Sequence, residues 1–124
     1  MAARTFRGLD MTFTFDGLVK ESAEHAGLKR NQFDRQDIED YVVYNISNIQ
    51  SSLENLQAFH TLSSLSVLFE EFGVPLRISV MMKDNKTKVD YVTVRLSKAE
   101  YDEASQKVKS MVERALRRKA EGEE

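Results

Sequence analysis

The chain has 124 residues, 41% hydrophobic and 31% charged, which fits one domain with a single modest core. Its 18 basic and 20 acidic residues leave a formal net charge of −2, so no global charge draws it to nucleic acid or to an anionic membrane. Cysteine is absent, which removes disulfides, thiolate nucleophiles and cysteine-ligated metals.

Leu9, Met11, Phe13 and Phe15 alternate with Asp10, Thr12, Thr14 and Asp16. This period of two predicts a strand with one buried face, ended by Asp16-Gly17. Leu18, Val19, Ala23 and Ala26 then predict a short helix that stops at Gly27. Leu28 to Arg35 reads as a polar loop anchored by Phe33.

A second helix is expected from Asp34 or Asp37. Ile38, Val42, Ile46, Ile49, Leu53 and Leu56 follow at spacings of three and four, which is a helical stripe. Past Leu56 the phase shifts to Phe59, Leu62, Leu65, Phe69 and Phe72. That predicts one bent helix or two helices broken between His60 and Ser64, terminated by Gly73, Val74 and Pro75.

Leu76, Ile78, Val80 and Met82 alternate with Arg77, Ser79, Met81 and Lys83. Asp84 to Thr87 supplies turn residues, and the β-branched run from Val89 to Leu96 predicts the returning strand of a hairpin. Ser97 and Glu100 have capping-box spacing. They open a last helix whose inward stripe is Tyr101, Ala104, Val108, Met111, Val112 and Ala115. Flexible ends are expected near 1–6 and 119–124.

The expected fold is α+β, a single domain over 1–124. It has a three-stranded antiparallel sheet, one N-terminal strand plus a C-terminal hairpin, packed with a long or broken central helix and a C-terminal helix.

No run of about 18 apolar residues is present to span a bilayer. No apolar h-region follows Arg4 and Arg7, so the expected compartment is the cytoplasm.

Charge is uneven. Between Gln36 and Leu76 there is no Lys or Arg, and between Tyr41 and Phe69 the sole charge is Glu54. A helix facing water normally carries Lys and Glu on its outer side. Charge depletion marks interface cores, so segment 41–69 is expected to be covered, most simply by a second copy in a dimer. The residues expected at that interface are Tyr41, Tyr44, Asn48, Ser52, Phe59 and Leu62.

The leading functional expectation is therefore a non-enzymatic protein–protein interaction module: a small adaptor, regulator or assembly subunit. The first alternative is nucleic-acid association through Lys83, Lys86 and Lys88 on the hairpin and Arg114, Arg117 and Arg118 on the last helix. Dipole complementation also explains that helix, with Glu100, Asp102 and Glu103 in its first turn and the cations in its last. The second alternative is a small enzyme or ligand binder with a pocket near His60, Tyr41 and Tyr44. His25 is the only other histidine, and no metal-ligand spacing joins the two. Asp37, Glu39 and Asp40 read as helix-start acids in preference to a catalytic cluster. The five glycines form no phosphate-cradling loop. No catalytic residue, cofactor or metal is expected.

Overall fold

The computed structural model describes residues 14–83 and 89–122. Its elements in chain order are α1 (Phe15–His25), a 3-10 turn (Arg30–Gln32), β1 (Phe33–Ile38), β2 (Tyr41–Ile46), α2 (Ser52–Glu71), β3 (Arg77–Met82), β4 (Val89–Ser97) and α3 (Lys98–Gly122). The fold is α+β, but the sheet has four antiparallel strands, in the order β1-β2-β4-β3.

Two expectations are corrected. The stretch from Asp34 to Ile46 is a hairpin, not helix. Phe33 pairs with Ile46 and Ile38 with Tyr41, across a turn where Glu39 takes the left-handed φ of 54°. The misreading has a physical origin. Residues four apart share a face in a strand as well as in a helix, so Val42 and Ile46 satisfy both patterns. The β-branched and aromatic content of Tyr41–Ile46 is the signal that decides for a strand. The acids at 37, 39 and 40 thus end β1 and form its turn instead of complementing a helix dipole.

The second correction concerns only the end of the expected N-terminal strand. The expected strand at Leu9–Phe15 falls mostly outside the described residues, and Phe15 opens α1 instead. Thr14 caps that helix by accepting from the Gly17 amide at 2.9 Å.

The helix that remains, α2, begins at Ser52 and continues without a break through His60–Ser64. Ser51 caps it, accepting from the Glu54 amide at 3.1 Å. Both α1 and α2 stop at a glycine with positive φ, Gly27 at 95° and Gly73 at 69°. Each stop carries a six-to-one hydrogen bond, Leu28 to Ala23 at 3.0 Å and Val74 to Phe69 at 2.8 Å, the geometry of a Schellman stop.

The core lies on one side of the sheet. Val42, Tyr44 and Ile46 of β2 and Val92, Val94 and Leu96 of β4 are buried there. The helices cover them with Phe15 and Val19, with Leu65 and Phe69, and with Ala104 and Val108. Phe15 is the junction: its ring centroid lies 5.7 Å from Phe69, 6.0 Å from Phe72 and 5.9 Å from Tyr101. These are edge-to-face and tilted distances that add to area burial. The inward stripe of α3 is shorter than its sequence: Ala104 and Val108 are buried, Tyr101 and Val112 half-buried, Met111 and Ala115 exposed. No residue from 109 to 119 is buried, although α3 stays helical to Gly122.

A polar knot joins the chain before β1 to the start of α2. The Gln32 side chain, 2% exposed, accepts from the Lys29 amide at 2.9 Å. It donates to the Asn48 carbonyl at 3.2 Å and to Glu54 at 2.9 Å. Glu54 also accepts from the Gln50 amide at 2.7 Å. That bond, with the Gln32 contact, holds its carboxylate below the usual range despite the opposing cost of desolvation. The one charge in the middle of the chain is therefore structural. Replacing Gln32 with Leu strands these partners, and we expect a loss of about 2 kcal/mol, read by urea unfolding, from buried groups left unpaired.

Candidate interaction surface

A second polar cluster ties four elements together. Asp16 of α1 accepts hydrogen bonds from the Tyr44 hydroxyl of β2 at 2.7 Å and from the Tyr101 hydroxyl of α3. The Arg35 Nε of β1 lies 3.3 Å from Asp16, its Nη2 lies 3.1 Å from Asp37, and its guanidinium sits 4.9 Å over the Tyr101 ring. Burial, then the bond to Asp16, pushes the Tyr44 phenol well above its ordinary ionisation range. The same two causes push Tyr101 up to about 12. Both phenols are held as donors, and the carboxylate is occupied by three side chains. Chemically this is a clasp.

At the same end of the sheet Ser97 and Glu100 form the expected capping box. The Ser97 amide donates to Glu100 at 2.8 Å, and the Glu100 amide donates to Ser97 Oγ at 3.1 Å. Glu100 also accepts two bonds from Arg77, at 2.8 and 3.1 Å. The Arg77 pair, with the Ser97 amide, overcomes desolvation and holds the Glu100 carboxyl down to about 2.

The surface left uncovered is more unusual than these sites. Every residue of β3 is exposed, and Ile78, Val80, Met81 and Met82 are each 41–47% exposed. Ile78 and Val80 pair with the buried Val94 and Val92, so they lie on the helix side of the sheet without full cover. On α2, Leu53, Leu56, Phe59 and Val67 are each 50–68% exposed. At about 100° per residue Leu53, Leu56 and Val67 point away from the core-facing residues Ala58, Leu65 and Phe69.

The two exposed sets lie on elements that follow one another in the chain. The C-terminus of α2 leads through Val74 directly into β3. At the other end, Lys83 Nζ donates to the Ile49 carbonyl at 3.4 Å, just before α2. A cleft of about 200 Å³ there is lined by Ile49, Ser52, Asn55 and Val89. The start of α2 is thus held near the end of β3, and Gln32 ties it to the β1 side as well.

The structure disperses the six expected interface residues. Tyr44 and Leu62 are buried in the core. Tyr41 is on the opposite face of the sheet, under the Arg95 guanidinium at 4.8 Å. Asn48 sits in the β2–α2 loop with φ 57° and donates to the Asn31 carbonyl at 2.6 Å. Ser52 is exposed in the first turn of α2, and only Phe59 lies in the apolar band. The pocket of His60, Tyr41 and Tyr44 is not assembled: residues three apart in a strand face opposite sides, and His60 is exposed on the outer side of α2. No group of three or more metal-ligating side chains occurs among the described residues.

The expected cationic set is also divided. Lys83 is at the Ile49 end of α2, whereas Arg114 lines a cleft of about 530 Å³ with Glu71 and Phe72 at the other end. The length of α2, about 30 Å at 1.5 Å per residue, separates them. Lys86 and Lys88 lie outside the described residues. Arg117 and Arg118 are exposed on the last turns of α3. Lys107 caps α2, donating to the Phe72 carbonyl at 3.0 Å, where a cation suits the negative helix end beside Glu70 and Glu71.

Sequence reasoning missed the β3 edge as a surface, because alternation predicts a strand without saying which neighbour it lacks. No helix among the described residues is long and apolar enough to cross a membrane. No family model matches the chain, and no curated protein or solved structure is significantly similar to it.

Two pH effects follow. The Glu100 carboxyl is depressed in the folded state from an ordinary 4.5 to about 2. Its contribution is therefore fully present above about pH 4.5 and lost as pH falls towards 2. Glu100→Gln should remove that acid-limb slope in a urea series and cost on the order of 1 kcal/mol near neutrality. Tyr101 is raised from 10 to about 12, so its contribution is full below pH 10 and lost as pH rises through 12. Tyrosinate absorbance should show Tyr101→Phe deleting a step near pH 12 that precedes alkaline unfolding.

Proposed function

We propose that the protein is a non-enzymatic protein–protein interaction module that docks through the apolar band of α2 and β3. The observation that carries this reading is the band itself. Large apolar side chains line the outer face of a helix and an open sheet edge, with no charge between residues 55 and 69 to favour water. Exposed apolar surface of this kind marks interaction sites. The polar clusters support the reading by their occupation: the acids of both, Asp16 and Glu54, are committed to joining elements. An adaptor, regulator or assembly subunit in the cytoplasm fits these properties.

A second reading draws on α3 beyond Val108. Lys109, Arg114, Arg117, Arg118 and Lys119 are exposed there, with Glu113 as the one acid among them. That arm suits the phosphate contacts of nucleic-acid association. A gel shift at low salt tests it, and the absence of any shift overturns it.

For the first reading, Leu56→Glu combined with Val67→Lys is the informative variant. Both positions are exposed, so folding stability should change by no more than about 0.5 kcal/mol each. Immobilised wild-type protein should capture a binding partner, a second copy included, that the double variant fails to retain. Capture that survives the double variant unchanged would show that the band is not the docking surface.

A further inference from the structure

We infer that the cleft between the end of α1 and the start of β1 binds a phosphate monoester carried on a small apolar group. The cleft has a volume of about 230 Å³. It shares no residue with α2 or β3, so it is separate from the apolar band and neither reading depends on the other.

The lining divides by chemistry. Ala23, Leu28 and Phe33 form an apolar floor, the first two buried and the third half-buried. Lys20, Lys29 and Arg30 are exposed around it, with Glu24 as the one acid. Three cations against one carboxylate give this small hollow a formal charge of +2, in a chain whose net charge is −2.

Contacts within the fold do not account for that charge. None of the three cations makes an ion pair among the described residues. The field of Lys29 reaches Glu54, but that carboxylate is already bonded to Gln32 and to the Gln50 amide. Like charges gathered around one cleft repel, and an anion seated among them relieves the repulsion.

The loop that carries Lys29 and Arg30 is fastened from both sides. The Leu28 amide donates to the Ala23 carbonyl at 3.0 Å, and the Lys29 amide donates to Gln32 Oε1 at 2.9 Å. The Ser47 amide donates to the Gln32 carbonyl at 2.9 Å, and Asn48 Nδ2 donates to the Asn31 carbonyl at 2.6 Å. Phe33 is stacked against Tyr44, with ring centroids 5.9 Å apart and planes 14° from parallel. The backbone under the two cations is thus set before a ligand arrives, which lowers the ordering cost of binding.

Charge selects the class of anion. A carboxylate brings one negative charge, which a single cation balances. A phosphate monoester brings about −1.5 to −2 near neutrality, with three acceptor oxygens, and so matches a local excess of two. Arginine meets two such oxygens with parallel N–H donors, and lysines add point charges. The cleft is smaller than the roughly 300–1,000 Å³ of pockets for drug-sized ligands, which limits the apolar part to a group about the size of one ring.

Phenyl phosphate is the probe, compared with inorganic phosphate and benzoate in amide NMR titrations of the full chain at low salt. We expect phenyl phosphate to shift the amides of Ala23, Leu28, Lys29 and Arg30 saturably, and to bind about tenfold more tightly than either comparator. Lys29→Ala combined with Arg30→Ala should weaken it by about tenfold or more, while Lys109→Ala on α3 leaves it unchanged. All three side chains are exposed, so the variants should keep the wild-type spectrum away from the cleft. A short phosphotyrosine peptide separates the two sources of this chemistry. Tighter binding than phenyl phosphate, with shifts that spread along β1, assigns the site to a phosphorylated partner; equal or weaker binding assigns it to a free small ligand. Benzoate binding as tightly as phenyl phosphate overturns the choice of phosphate, and inorganic phosphate binding as tightly overturns the apolar part. The site itself is overturned if phenyl phosphate causes no saturable shift, or if its shifts survive the Lys29 and Arg30 substitutions unchanged.

Discussion

The pairing of β2 with β4 is the constraint on which the structure depends. These strands belong to two hairpins separated in sequence by the whole of α2. Their ladder, from Tyr41↔Ser97 to Ile46↔Val92, puts the more buried strand of each hairpin at the centre of the sheet. Six side chains from these two strands make the buried floor of the core. The other two strands are left as edges, β1 charged and β3 apolar.

The helices complete what that pairing begins, and they complete it unevenly. Phe15 gathers Phe69, Phe72 and Tyr101 around one ring, and Asp16 beside it binds Tyr44, Tyr101 and Arg35. Apolar contact and polar clasp therefore act at neighbouring positions of α1 and hold sheet and helices to each other at one end. At the opposite end, Gln32 and Glu54 tie the loops to α2. Between these two fixed ends the outer side of α2 is bare. The rigidity of the anchors is what makes the bare side a defined surface.

The polar clusters of this molecule are satisfied within the fold, whereas much of its apolar surface is bare. Tyr44 and Tyr101 are held protonated, and Glu54 and Glu100 are held ionised by donors within the fold. Each perturbed group thus has a structural partner that accounts for it. The apolar residues of β3 and α2 have no such partner within the described chain, and water is a poor one for them.

Several features were legible from residues alone. The hairpin of β3 and β4, the Ser97–Glu100 box, the stop at Gly73 and the final helix all rest on local rules: period two, a capping spacing, a glycine able to take positive φ. The charge-poor character of 41–69 was legible as well. What local pattern could not decide was whether Val42 and Ile46 lay on a helix or a strand, since a spacing of four fits both. The hairpin turn at Glu39-Asp40 carries none of the Asn-Gly or Asp-Gly chemistry that marks such turns. Only the β2–β4 ladder, formed by residues about fifty apart in sequence and so invisible to any local window, turned that segment into strands. The same ladder scattered the six expected interface residues and left β3 at an edge. The sequence determined that the middle of the chain is poor in charge; the tertiary structure decided which of its side chains are buried and which stay exposed.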